Sequence, residues 1–164
     1  MPDRGRLIPP DMPQSSKFSR PVIFQLPKIT DARGNLTFLQ YPGLSPFDIK
    51  RVFYLYGMPE GSTRGGHAHV EMKEMIIAVA GSFSVKVFDG EGWESFTLDR
   101  PDVGLYLPPL FWRELTDFTP GAVALTLCST LFDPVDYLSP IEVYTDYLAS
   151  RDSGSSSASA SAQE

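Results

Sequence analysis

Apolar and polar positions alternate in short runs along most of this chain, and a period of two marks strands with one buried face. Val22–Leu26 and Asn35–Gln40 read as strands on either side of the turn at 30–34, TDARG. The stretch 49–56, IKRVFYLY, is β-branched and aromatic and predicts another strand. Met75–Ala80 and Ser82–Phe88 form two more, separated by Gly81. Asp89-Gly90 and Gly92 then turn the chain into Trp93–Leu98, a hairpin signal. Val103–Leu107, Phe111–Leu115 and Ala122–Ser129 complete the set, with Pro108-Pro109 and Pro120-Gly121 as breakers. About nine or ten short strands with no long helix predict an all-β sandwich or barrel. Residues 140–148 are expected to form a short C-terminal helix or arm.

The two ends read differently. Residues 1–20 are rich in Pro and polar side chains and predict a loose arm. The tail from Ser150, SRDSGSSSASASAQE, is low-complexity and predicts disorder over 150–164. The folded domain is therefore expected over 21–149.

Composition narrows the function classes. The 164 residues, 42% hydrophobic, fit one soluble globular domain. No apolar run approaches the length that spans a membrane, and the N-terminus has no apolar core of a secretory signal. The single cysteine, Cys128, excludes an internal disulfide and suits a reducing compartment, so the cytoplasm is the expected location. It sits in AVALTLCSTLF and reads as core filler. A net charge of −6 argues against a nucleic-acid binder and leaves room for an anionic small ligand where basic groups gather.

Both histidines of the chain, His67 and His69, lie in GSTRGGHAHVEMKEMIIAVAG. Spaced two apart on a strand, they share a face. A glycine, His-x-His, Glu74 and Gly81 at these spacings resemble the first motif of the cupin barrels, whose inward histidines face a ligand or metal. The resemblance implies a small cupin (jelly-roll) β-barrel. Cupin metal sites add a third histidine in P-x-G-x-x-H, and here Pro108–Arg113 puts arginine in that place. A guanidinium cannot coordinate a cation and disfavours charged imidazoles beside it. His67 and His69 are therefore expected to work as acid–base groups without a metal or other cofactor, with Glu74 as a partner for a nearby arginine. A metal site made of His67, His69 and Glu74 is the competing possibility.

A more specific likeness covers roughly 22–148. DARGNL, IKRVFYLYGMPEGSTRGGHAHVE, AVAGSFSVKVFDG, RPDVGLYLPPLFWRELTDF and LFDPVDYL resemble the WxcM-like family, which includes dTDP-4-keto-6-deoxyhexose 3,4-ketoisomerases. The resemblance implies a metal-independent homodimer that moves a ketone from C4 to C3 of a dTDP-linked 4-keto-6-deoxyhexose through an enediol. That reaction needs a base that titrates near neutrality and donors for the developing oxyanion. By resemblance His67 is the base at C3 and His69 its partner, while Arg33 and Arg51 contact the diphosphate or the nucleotide. Arg64 and Arg113 are further substrate contacts. Arg51 and Phe53 share a strand face by parity. Phe53 departs from the family, which commonly carries a tyrosine there, with a hydroxyl suited to shuttling a proton between sugar oxygens. Tyr106 is an alternative source of that hydroxyl, and Val70 is a second departure, where relatives carry lysine. The other reading of the chain is a non-catalytic cupin that binds a nucleotide-sugar or another small molecule.

Overall fold

The computed structural model describes residues 18–158, and of residues 155–158 the backbone only. Strands β1 (Val22–Gln25), β4 (Arg51–Leu55), β6 (Glu74–Ala80), β9 (Val103–Leu107) and β11 (Val123–Cys128) form one sheet in the order β1-β9-β6-β11-β4. A second sheet runs β12-β5-β10-β7-β8, from β5 (Arg64–His69), β7 (Phe83–Phe88), β8 (Trp93–Leu98), β10 (Trp112–Thr116) and β12 (Tyr137–Leu138). The chain passes back and forth between the two sheets, and they face each other as a jelly roll. The hairpin of β2 (Lys28–Asp31) and β3 (Gly34–Thr37) stands apart from both. Helix α1 (Ile141–Ala158) closes the chain.

Alternation along the strands sorts the apolar residues into three cores. Ile76, Phe83, Val85, Leu105, Leu107 and Ala124 fill the space between the sheets. Their neighbours in sequence, Met75, Ile77, Tyr106 and Leu127, face outward and are covered by Phe24, Leu26 and Phe47 from the N-terminal segment. Ala68, Trp112 and Leu138 form the third core, under α1. Tyr144 pins the helix there, fully buried, with its hydroxyl 3.0 Å from the carbonyl oxygens of both Phe88 and Leu110.

The predicted all-β architecture holds, and β8 and β9 have the expected bounds. Two short strands were not anticipated. The first, β2, takes the front half of the expected 30–34 turn, which shrinks to Ala32-Arg33 because Asp31 Oδ1 accepts the Arg33 N–H at 2.8 Å. The second, β12, is only two residues long, too short for periodicity to reveal. The C-terminus also differs. The helix runs past the expected boundary at 149, through the Ser/Ala stretch as far as Ala158. There the Ser150 and Ser153 hydroxyls donate to carbonyls of their own helix, including Tyr147 and Ala149. The rest of the expected tail, and residues 1–17 of the expected arm, lie outside the described residues.

Gly81 joins β6 to β7 at φ 62°, a left-handed conformation. A Cβ there would stand 2.8 Å from the Ala122 Cα. Gly81→Ala is therefore expected to lose at least the roughly 1–2 kcal/mol of left-handed strain, plus the clash. Urea unfolding checks this, and an unchanged midpoint would contradict it.

Candidate active site

Register between strands decides which side chains meet. In β6 Glu74 shares the inner face with Ile76, and in β11 Thr126 faces inward while Leu127 faces out. In β4 Phe53 and Leu55 point in. Across the barrel β10 pairs with β5 so that Arg113 lies opposite His67, and β12 pairs with β5 so that Tyr137 lies opposite His69. Directly opposed residues hold their Cβ atoms about 5 Å apart. The result is a cavity of about 360 Å³ whose walls include Phe53, Arg64, His67, Glu74, Arg113 and Tyr137. Gly65 lets β5 approach β10 this closely: φ is 84° there, and a Cβ would meet the Arg113 carbonyl oxygen at 2.7 Å.

The histidines form the head of a polar chain. His67 Nε2 and His69 Nε2 are 3.1 Å apart, and His69 Nδ1 is 3.0 Å from Asp136 Oδ2. A carboxylate at that distance requires a proton on His69 Nδ1. In neutral His69, Nε2 is then an acceptor for the N–H of His67. Asp136 is held in turn by the backbone N–H groups of Glu71 and Met72, at 2.7 and 3.3 Å. Tyr137 packs on both imidazoles, with ring centroids 4.8 Å from His67 and 4.4 Å from His69.

Arg113 is buried to 1% exposure and sits beside this chain. Its Nη1 donates to the His67 carbonyl at 3.1 Å, and its Nε lies 2.6 Å from Glu74 Oε1. That second contact is an ion pair without an aligned hydrogen bond, and Nη2 has no hydrogen-bond partner among the described residues. The expected role of Glu74, partner to an arginine, holds. Burial first and the Arg113 charge second hold His67 down to about 4, outweighing a backbone hydrogen bond at Gly65. The same two causes, then His67 itself, hold His69 down to about 2. Both rings are neutral at physiological pH.

Arg51 lies behind the cavity wall. Its guanidinium stands 5.4 Å over Phe53 and 5.5 Å over Phe132, so Arg51 and Phe53 do share a face. It also donates to Cys128 Sγ at 3.7 Å. Burial raises the Cys128 thiol to about 11, which fits core filler.

Two predicted site residues lie elsewhere. Tyr106 is fully buried in the outer core against Phe18, Phe24 and Phe47, because Leu105 and Leu107 take the inner face of β9. It offers no hydroxyl to the cavity. Arg33 sits at the tip of the β2–β3 hairpin, 89% exposed and paired with Asp31, away from the cavity wall. The metal alternative does not fit either. The two Nε2 atoms face each other, His69 Nδ1 faces Asp136, and Glu74 faces Arg113. Among the described residues no three His, Cys, Asp or Glu side chains gather to hold a metal ion.

Sequence reasoning missed Asp136 and Tyr137. The segment LFDPVDYL was noted for its likeness to the family without a role for either residue. The available signal was an Asp133-Pro134 turn delivering an acid and an aromatic together. Asp133 caps that turn by accepting the Val135 N–H at 3.0 Å.

Unfolded histidines titrate near 6.5, so unfolding takes up protons wherever the pH lies between that value and the lowered native ones. The stability held by these two rings is full above pH 6.5 and falls as the pH drops through 6.5 toward 4 and below. In the His67→Asn/His69→Asn double variant, unfolding free energy measured by denaturant should depend less on pH between 6.5 and 4. An unchanged slope would contradict the neutral, buried pair.

Comparison with known proteins agrees with this geometry. The profile of the family described as FdtA: WxcM-like, C-terminal matches residues 19–151. A TDP-4-oxo-6-deoxy-alpha-D-glucose-3,4-oxoisomerase of Aneurinibacillus thermoaerophilus is 35% identical over 127 residues, covering 77% of this chain and 91% of the relative. The sugar 3,4-ketoisomerase QdtA of Thermoanaerobacterium thermosaccharolyticum, solved with TDP, superposes with TM-score 0.78 at 34% identity, over 81% of this chain and 97% of that one. The WlaRB TDP-quinovose 3,4-ketoisomerase of Campylobacter jejuni gives TM-score 0.74 at 34% identity, over 79% and 99%. With its fold, its histidine pair and its length accounted for together, this chain belongs to the WxcM-like, C-terminal (FdtA) family.

Proposed function

We propose that the chain is a 3,4-ketoisomerase that moves the ketone of a TDP-linked 4-keto-6-deoxyhexose from C4 to C3. The observation that carries the reading is a neutral His67 at the cavity wall, backed by His69 and Asp136. A C4 ketone acidifies the C3 hydrogen. His67 removes it, and the positive charge that arrives has an onward route through His69 to the Asp136 carboxylate. The negative charge developing on the sugar oxygen meets Arg113, whose Nη2 has no hydrogen-bond partner among the described residues. A buried cation beside the oxyanion is worth far more than one in water. The proton returned to C4 completes the isomerisation with no net redox change. A relay behind the first histidine serves proton transfer, and mere binding of a nucleotide-sugar has no need of one. This favours catalysis over a passive role.

Arg64 on the cavity wall supports a contact with the diphosphate, with Arg51 behind that wall against Phe53, whereas Arg33 lies off the wall of its own chain. The outer face of the first sheet leaves Val52, Tyr54 and Val79 exposed, alongside Ile29 and Leu36 of the hairpin. Such a concentration of apolar surface supports a homodimer, which sedimentation would report as twice the chain mass. A monomer at micromolar concentration would count against it.

His67→Asn keeps the size of the side chain and removes the base. It should lower kcat by about 10²–10⁴-fold while TDP still binds. The assay is proton NMR with TDP-4-keto-6-deoxyglucose in deuterated buffer, where wild type forms a 3-keto sugar carrying deuterium at C4. Unreduced turnover in the variant would remove His67 from the role of base.

A further inference from the structure

The reaction above, on which this inference rests, moves two hydrogens. C3–H, O3–H and C4=O become C3=O, C4–H and O4–H. The carbon-bound hydrogen travels by way of His67. The second must pass from O3 to O4, and a carrier for it must donate and accept at the cavity wall. A phenol suits the task, because its ordinary pKa near 10 lies far closer to that of an enediol than an aliphatic hydroxyl's does.

Among the described residues one phenol lines the cavity. Tyr54 and Tyr56 are 60% and 70% exposed, Tyr106 is locked in the outer core, and Phe53 has no hydroxyl. Tyr137 is on the wall, placed there by its register opposite His69 and by its packing on both imidazoles. Arg51 connects it with Phe53. The guanidinium lies 5.4 Å over the Phe53 ring. Burial works against its charge, and the nearby Tyr137 hydroxyl and Cys128 thiol outweigh that and hold it above the ordinary value.

We infer that Tyr137 is a catalytic residue that carries the hydroxyl proton between O4 and O3, in the role that a phenylalanine at position 53 leaves unfilled. As His67 takes the C3 proton, the C–H pair forms the C3=C4 bond and the C4=O π pair moves to O4, which takes the Tyr137 proton. The tyrosinate, next to the Arg51 cation, then takes the proton from O3. The C3=O bond forms from the O–H pair, and the C3=C4 pair takes a proton at C4 from the His67 imidazolium. Tyrosine and histidine return to their starting states, and no oxidant or reductant enters.

Tyr137→Phe tests this by removing one oxygen and leaving the ring that packs on the histidines. In deuterated buffer with TDP-4-keto-6-deoxyglucose, the variant should still exchange the C3 hydrogen, since His67 is untouched. Formation of the 3-keto product should fall about 100-fold or more. In the Phe53→Tyr/Tyr137→Phe variant a hydroxyl returns from the other ring beside Arg51, and product formation should recover by at least tenfold. A Tyr137→Phe enzyme that forms product at the wild-type rate overturns the assignment. So does one that loses exchange and product equally and is not rescued, which would make Tyr137 only a packing partner of the histidines. A wild-type protein that neither exchanges nor isomerises overturns the ketoisomerase reading itself and takes this role with it.

Discussion

The contact on which this site depends is the buried pair of Arg113 and Glu74. It ties β10 of one sheet to β6 of the other inside the barrel, where both side chains are almost wholly removed from water. Taking two such charges out of water costs several kcal/mol each, and an apolar pair of similar volume is often neutral or stabilising in their place. The pair is therefore poorly explained by stability. What it does is fix a positive charge beside His67, both through the carbonyl that Arg113 holds and through the field that lowers both imidazoles. Nη2, which has no hydrogen-bond partner among the described residues, is the donor that the proposed reaction uses.

A histidine that titrates at about 4 would be a weak base if the site stayed as it is in the free chain. Substrate changes the balance of charge. In the proposed reaction a nucleotide diphosphate brings negative charge toward a cavity whose wall carries Arg64 and Arg113. The enediolate then adds another against Arg113. Each offsets the repulsion that adds to burial in lowering the imidazoles, so the proposed base gains strength as the reaction needs it. His69 and Asp136 act in the same direction, since a proton on the pair of rings is shared toward a carboxylate 3.0 Å away. The free site thus holds neutral imidazoles, and the proposed complex favours a charged one.

How much of this was readable beforehand follows from strand parity. His67 with His69 and Arg51 with Phe53 follow from a period of two along a strand, and the inward aim of Arg113 from its place at the third cupin histidine. Tyr106 was named only as a source of a hydroxyl, with no argument for the face it takes. Both faces of β9 are buried, Leu105 and Leu107 against the inner core and Tyr106 against Phe24 and Phe47, so apolar patterning could not separate them. Arg33 was placed by likeness alone, and the hairpin that carries it pairs with neither sheet. Asp136 and Tyr137 belong to a two-residue strand and a single turn, where periodicity has nothing to count.

That C-terminal segment shows why position, not pattern, carries the chemistry here. The Asp136 carboxylate accepts from the Glu71 and Met72 backbone as well as from His69. It thereby binds the end of the chain to the turn just after the histidines, and the next residue, Tyr137, is delivered to the cavity wall by the same anchoring. Leu138 then points away, into the core beneath α1, where the buried Tyr144 fixes the helix. Alternation across 136–138 therefore divides one short stretch between relay, cavity and core. A shift of a single residue in β12 would withdraw Tyr137 from the histidines and turn a leucine toward them. The packing of α1 on the outside of the second sheet is thus part of what holds the proton chain inside it.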